Sequence, residues 1–450
     1  MSTQPTHAAR AVREIPLSQR ILGAPPARTL DDAVRLCDPF TPLDPSADTA
    51  LRADLDTIRG GDRLAKIVRN IRRSGGVPTL HFLTGHLGSG KTTELLRMRQ
   101  RLLRCEGDAP ADTVLFLDAD AMLDRHDIDL EDIVIALWSV VFQDKPGAAA
   151  KVLVPVWERQ VRSALANFVV NLPDKVPEAI GAVLGQLRLP GPDQRQKVRV
   201  GVGTVLCALI EGLNGALAKI KEDQAGSVVL LIDNLEKLSQ GQKAGVERLY
   251  LERMGALKEL DAHLVITVPL YLCYAASGAS LIGLYGGEVI VLPMVKVRRR
   301  KSDGGGDDPA GLAAMAGLLA RRIDFDALFE DGGEAAEMVA RLSGGCIRHA
   351  LRMLQGAANE HDAPPVARSS IERAAASIQA DFERALPEEW VPILRSVARD
   401  NRFPDACKEE PKRELLRHLF VLEYQDGEPD PWYAVHPLVE RCRKYREHGQ

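Results

Sequence analysis

The chain has 450 residues, 45% hydrophobic and 27% charged, a globular composition long enough for two or three domains. Its formal net charge of −4 excludes a global field that would draw it to nucleic acid or anionic lipid, so any such contact must be a local patch. Seven scattered cysteines, at 37, 105, 207, 273, 346, 407 and 442, form no C-x-x-C pair and no zinc-spaced cluster, which predicts reduced thiols in a reducing compartment.

The first twenty residues, MSTQPTHAARAVREIPLSQR, hold no apolar core of signal-peptide length. The greasiest segment, Val202–Leu213, is interrupted by Glu211 and is shorter than a bilayer span. The expectation is a soluble cytoplasmic protein with no membrane partner. Residues 1–75 read as an N-terminal extension, with Pro/Ala-rich turns leading into a helical stretch over Leu51–Arg73. From residue 76 the signals alternate: strand 79–84, a glycine loop, helix 91–105, strand 113–118 and a helix around 130–143. Residues 150–222 read as a helical insertion with proline breaks at 173–177 and 190–192. Strands follow at 227–232, 264–268 and 288–292, with a helix around 243–260. Runs such as VVLLI are apolar without alternation, as strands covered on both faces should be, and interleaving with helices predicts a parallel sheet.

KSDGGGDDPAG, 301–311, reads as a flexible loop, and the pattern then turns helical at 309–322, 334–342, 346–357 and 368–385. The tail reads helix 387–399, helix 411–419, strand 420–424, turn, strand 432–435 and helix 437–446, a winged-helix pattern. The predicted organisation is an extension (1–75), an α/β core (76–300), a helical lid (301–385) and a winged-helix domain (386–450).

GHLGSGKT, Gly85–Thr92, satisfies G-x-x-x-x-G-K-[ST] at every fixed position. Bare amides must wrap a phosphate chain closely, which glycine permits at Gly85, Gly88 and Gly90. His86, Leu87 and Ser89 contribute backbone to the same cradle, and Thr93 follows it. The helix starting near Lys91 points its positive end at the anion. Lys91 supplies a cation for the outer phosphates, and the Thr92 hydroxyl a ligand for Mg²⁺. The bland alternative is a glycine turn that happens to contain Lys-Thr. The four fixed positions would match by chance in only ~1–2% of such chains.

A phosphate-bound Mg²⁺ needs an acid, expected at the end of an apolar strand beside the loop's own strand. SVVLLIDNLEKL offers Asp233, which could also serve as a helix N-cap. TVLFLDAD offers Asp118 and Asp120, and ranks second. A base must orient water for hydrolysis. Asn234 follows Asp233 directly, and the next acid is Glu236, read either as that base or as a solvated helix-start charge. Thr267, at the tip of LVITV, could hydrogen-bond a γ-phosphate or the attacking water, or simply be a strand threonine.

GHLGSGKTTEL, VVLLIDNLEK, ITVP and RLSGGCIRHALRML, in this order, resemble an AAA+-type P-loop ATPase. Within that class the likeness is to the branch holding origin-recognition-complex-like and STAND signalling ATPases, over about 78–440. It implies that ATP and Mg²⁺ are the cofactors. It also implies that Arg348, in Gly344-Gly345-Cys346-Ile347-Arg348, is a lid sensor arginine reaching the γ-phosphate. The ending YAVHPLVE, with His436, is similar to the tail of bacterial ATPases, several tied to conflict systems. The family expects an acid where Asn234 stands, which points to slow turnover. Arg298, Arg299 and Arg300 could act as an arginine finger toward a neighbouring subunit, but read more simply as a solvated basic loop.

The wing segment VLEYQDGEPDPWY carries Glu423, Asp426, Glu428 and Asp430 and no Lys or Arg, which disfavours DNA phosphate contacts. Basic residues lie instead in the last helix, at Arg441, Arg443, Lys444 and Arg446, while Trp432 and Tyr433 read as core of the module. The favoured reading is an ATP-operated switch that oligomerises or controls an effector protein. The alternatives are a DNA-loading ATPase and a P-loop transferase, though no compact substrate site is legible for the latter.

Overall fold

The computed structural model describes residues 25–44, 46–104, 111–124, 126–188, 191–224, 226–237, 243–274, 276–285, 288–427 and 430–447. Cys105 and Glu428, the opening residues 1–24 and Pro190 of the second proline break lie outside the described residues. The chain divides into two compact units, one holding residues 66–83 and 98–290, the other residues 25–65, 84–97 and 291–447.

The first unit is built on a five-stranded sheet in the order β2-β3-β4-β1-β5. Its strands are β1 (Leu80–Thr84), β2 (Thr113–Asp118), β3 (Val228–Asp233), β4 (His263–Thr267) and β5 (Glu288–Val291). The pairs β1–β4, β2–β3 and β3–β4 are parallel. Every residue of β3 and β4 is buried, the fate predicted by their unbroken apolar runs. This is the parallel-sheet P-loop architecture expected from the sequence.

The strand order corrects one expectation. β3, which ends in Asp233, is not beside β1; β4 lies between them, so Thr267 rather than Asp233 ends the strand adjacent to the loop's own. β2, with Asp118, neighbours β3 and not β1.

The helix Leu130–Asp144 is apolar nearly all round and buried over Leu130–Val141. Asp129 and Asp132 form a reciprocal cap at its start. It packs on β2 and on the helices Val176–Arg188 and Leu206–Asp223. Trp138 donates from Nε1 to the Leu209 carbonyl at 2.9 Å, and the ring lies where a Cβ on Gly212 would have to go. Among the described residues no single helix is long and apolar enough to cross a membrane.

The second unit begins differently from expectation. Leu51–Arg73 is not one helix: single turns at Thr49–Leu51 and Thr57–Arg59 precede a helix that starts only at Arg63. Gly60 and Gly61, both at positive φ (75° and 110°), break the run. A short helix, Leu30–Leu36, capped by Thr29, was not foreseen.

KSDGGGDDPAG is also more ordered than its composition suggests. The Arg299 amide donates to the Gly306 carbonyl at 3.0 Å and the Asp308 amide to that of Val297 at 2.9 Å. Gly304, Gly305 and Gly306 fill left-handed turn positions. Asp308 then caps the helix Pro309–Ala320.

A single-turn helix, Phe325–Leu328, and then three longer ones, Gly332–Ser343, Ile347–Ala358 and Arg368–Ala385, follow. Gly344 and Gly345 turn the chain between the first two of these longer ones; a Cβ on Gly345 would overlap the Val295 carbonyl. Helices Val391–Asp400 and Glu409–Arg417 precede an antiparallel hairpin of β6 (Val421–Tyr424) and β7 (Trp432–Val435), the helix–helix–hairpin arrangement of the winged-helix pattern. Trp432 and Tyr433 are buried in it. The last predicted helix is two short pieces, Pro437–Glu440 and Arg443–Glu447.

Candidate functional site: a phosphate loop held by three segments

β1 ends at Thr84, whose carbonyl accepts from the Leu292 amide at 2.7 Å, and the loop starts at once. Gly85 passes so close to the Leu292 carbonyl that a Cβ would overlap it. Gly88 and Gly90 take φ of 82° and 96°, and the helix Lys91–Leu102 begins with the Glu94 amide donating to the Gly90 carbonyl at 3.0 Å. Among the described residues the amides of Gly88, Gly90 and Thr92 have no hydrogen-bond acceptor. The Ser89 hydroxyl is buried and has no hydrogen-bond partner among the described residues either. Lys91 is 5% exposed and lies back on the loop, donating from Nζ to the carbonyls of Gly85 (2.9 Å) and His86 (3.1 Å). Thr92 and Thr93 are half-buried at the helix start.

Unpaired amides, a folded-back ammonium and hydroxyls at a helix N-terminus form a donor set with no negative charge of its own. It fits a polyphosphate. The Thr92 hydroxyl is a hard oxygen of the type Mg²⁺ prefers.

Three segments distant in sequence grip successive loop residues. From the N-terminal region, the buried Arg59 donates from Nη2 to the Ser89 carbonyl at 2.6 Å, and burial lowers its guanidinium pKa. Around it Glu94 and Arg97 form ion pairs: Arg97 joins Asp56, Asp62 (3.1 Å) and Glu94 (3.0 Å), while burial raises the Glu94 carboxyl. From the helix Ile347–Ala358 and its approach, Cys346 Sγ lies 3.9 Å from the Leu87 carbonyl and Arg348 packs its Cβ against Gly88. From the C-terminal module, two backbone groups bind the His86 ring: Nδ1–H donates to the Leu416 carbonyl (3.1 Å) and Nε2 accepts from the Glu423 amide (2.9 Å).

A cavity of ≈ 70 Å³ opens beside Gly90 and Thr93, walled by Leu43, Leu51, Leu318 and Ile347 with Arg59 at one side.

Arg348, expected as a sensor, therefore stands beside the loop. Its buried Nε has no hydrogen-bond partner among the described residues, and its guanidinium lies 5.6 Å over the ring of Phe40. Neither Arg59 nor Phe40 was legible as a site residue: IRGGDR and CDPF match no motif, and only tertiary packing brings Arg59 to the loop and the exposed Phe40 ring to Arg348.

In the first unit the acids gather at the C-terminal edge of the sheet. Asp233 is fully buried, and its Oδ1 accepts from the next amide, that of Asn234, at 2.8 Å. Asp118 faces it in register across β2–β3. Asn234 takes φ of 65° and donates from Nδ2 to Asp118 Oδ1 at 2.7 Å. Asp118 also caps the short helix after it, accepting from the Asp120 amide at 3.0 Å, and Asp120 pairs with Lys237 at 3.2 Å. Glu236 is half-buried on the single turn Leu235–Lys237. Thr267 is buried at the end of β4, its hydroxyl 3.5 Å from the Ile232 carbonyl and its own carbonyl bound by the Tyr250 hydroxyl at 2.8 Å.

Two electrostatic expectations change. Glu423 is fully buried in β6, not at the wing tip, and Asp426 is neutralised by Lys296 (2.8 Å) and Arg300 (3.0 Å). The acidic wing thus loses much of its repulsion for phosphate. Arg298 is not part of a solvated loop: it forms a two-pronged pair with Glu440, Nη1 to Oε1 at 3.0 Å and Nη2 to Oε2 at 2.7 Å. The C-terminal basic residues are also engaged, Arg441 with Glu372 at 2.8 Å and Lys444 with the Leu386 carbonyl at 2.9 Å.

No family model and no curated protein matches the chain. Solved structures similar to it include a Walker-type ATPase of Pyrococcus abyssi, at 14% identity, 88% of this chain and 99% of that one covered, and a TM-score of 0.44. Cdc6p of Pyrobaculum aerophilum aligns at 14% identity over 89% of this chain and 97% of that one, with a TM-score of 0.38. The ORC1 protein of Aeropyrum pernix, in complex with DNA, aligns at 16% identity over 92% and 96%, with a TM-score of 0.38.

Proposed function

We propose that the chain binds Mg-ATP on the loop Gly85–Thr93 and hydrolyses it slowly, the nucleotide acting as a switch on assembly or on an effector protein. One observation carries this reading: left-handed glycines leave the amides of Gly88, Gly90 and Thr92 without acceptors among the described residues, in a loop on which the Lys91 ammonium is folded back. In this reading Lys91 and Arg348 answer phosphate charge, Thr92 and Asp233 contribute oxygens to Mg²⁺, and Thr267 and Glu236 are the polar groups available to the attacking water. Mg²⁺ supplies neutralisation of the phosphate charge. Asn234 can orient a water but cannot take its proton, which is why turnover is slow.

The largely apolar cavity beside Gly90 suits a base, but at ≈ 70 Å³ it is far smaller than the few hundred Å³ of a typical small-molecule site. Seating a nucleoside there requires its walls, residues 43–55 or the helix at Ile347, to move. That movement is the switch.

The test is equilibrium binding of a fluorescent ATP analogue with Mg²⁺. Lys91→Ala should weaken binding about tenfold or more, about 1.4 kcal/mol. Equal affinity in the two proteins, or none in the wild type, overturns the reading. A DNA-binding ATPase is kept as a second reading because Lys296 and Arg300 cancel the charge of Asp426. Turnover stimulated by duplex DNA, falling steeply with salt, would select it.

A further inference from the structure

We infer that His86 is a positioning residue that couples the phosphate-binding lysine to the C-terminal hairpin, so that nucleotide on the loop and the packing of residues 416–424 control one another. The inference rests on the nucleotide reading of the loop and concerns its regulation.

His86 occupies a variable position of the loop motif, where the backbone alone is needed for phosphate. Its side chain is nonetheless 2% exposed and has both nitrogens committed. The Leu416 carbonyl can only accept and the Glu423 amide can only donate, so the ring is neutral with its proton on Nδ1. Both partners are backbone groups, at the end of the helix Glu409–Arg417 and within β6. They cannot yield by changing a rotamer; the segment itself must shift. Glu423 is held from its other side as well, its carbonyl accepting from the Met294 amide at 3.1 Å.

The His86 carbonyl, for its part, accepts from Lys91 Nζ at 3.1 Å. One peptide unit therefore carries the lysine on its oxygen and the hairpin on its side chain. When Lys91 turns to a phosphate, the His86 carbonyl keeps the Ser89 amide at 3.2 Å but loses its charged donor, and the constraint on that peptide is loosened. The rigid ring passes the change to Leu416 and Glu423. By linkage, a hairpin that draws His86 away must alter nucleotide affinity by the same factor.

Hydrogen exchange of the amides over residues 416–424 tests this, with and without a slowly hydrolysed ATP analogue and Mg²⁺, each protein held at saturation as judged by direct binding. In the wild type, nucleotide should change exchange there by about fivefold or more. His86→Phe, which fills the space without hydrogen bonds, should abolish the nucleotide-dependent change at its own saturation. His86→Gln keeps a donor and an acceptor and should restore most of it. A general loosening would alter exchange equally with and without nucleotide, so only the difference counts. A full-sized change in His86→Phe overturns the inference, as does a wild type that binds nucleotide with no change over 416–424; the latter result stands even if the variants fail to fold. A wild type that binds no nucleotide overturns the functional reading first, and the direct binding measurement identifies that case.

Discussion

Asn234 shows how a single side chain can hold a site without being its base. At φ 65° its backbone lies where most L-residues are strained, and Asn tolerates the conformation better than β-branched or bulky residues. Its Nδ2 bond to Asp118 Oδ1 keeps neighbouring carboxylates of the sheet edge apart in role. Asn234→Ala should lower stability by about 2 kcal/mol, combining strain and a lost buried hydrogen bond to a charged group. Asn234→Gly should recover about 1 kcal/mol of that, because glycine accepts the conformation. Urea unfolding of the two variants checks the order; equal losses would show that the backbone at this position is not strained. At this scale the loop was legible because its chemistry demands glycines, a lysine and a hydroxyl at fixed spacing. Arg59 was not, since nothing local distinguishes an arginine that will be buried from one that will be solvated.

The strands were legible as elements for a physical reason: VVLLI lacks alternation because both faces of the sheet are covered. Their order was not, because pairing is decided by long-range packing, and β4 came to lie between β1 and β3. Composition also misled at residues 301–311, where three glycines serve a hydrogen-bonded turn and not looseness. The arginines before that turn carry a prediction. Arg298 is bound on both prongs by Glu440, so it ties the turn to the helix Pro437–Glu440. Arg298→Ala should destabilise this module by about 1–2 kcal/mol, because the half-buried Glu440 carboxylate loses its partner. Limited proteolysis should cut the variant within residues 421–447 faster than the wild type. A variant that keeps wild-type protease resistance but loses ATP turnover would restore the arginine-finger reading.

At the scale of the whole molecule, burial favours the neutral form of five of the described histidines. His86 and His349 are lowered to about 3 and His263 to about 4, desolvation being the largest cause in each. Burial also lowers His81 and His436, and His436 lies 2.9 Å from His349 as a neutral hydrogen-bonded pair. Below the ordinary value of 6.5 the unfolded chain takes up protons that the folded chain refuses. Stability from these groups is therefore complete above about pH 6.5 and falls as the pH descends toward the folded values. Three carboxyls act in the opposite sense: burial raises Asp132 to about 6 and also raises Glu94 and Asp112, so their contribution is most favourable at low pH and declines as pH rises through the folded values. Five histidines outweigh them, and the urea midpoint should be lower at pH 5 than at pH 7.5. A midpoint unchanged over that range would mean that the histidines protonate in the folded chain.

The grips on the phosphate loop also set an order of events during synthesis. Arg59 precedes its loop partner by 30 residues, but the partners of His86 follow it by 330 and 337. As the chain leaves the ribosome, the sheet can assemble while its glycine loop still lacks the groups that fix it. The cradle is thus complete only once residues 416–424 have emerged, and a chain that has not yet reached them carries the motif without its last grip.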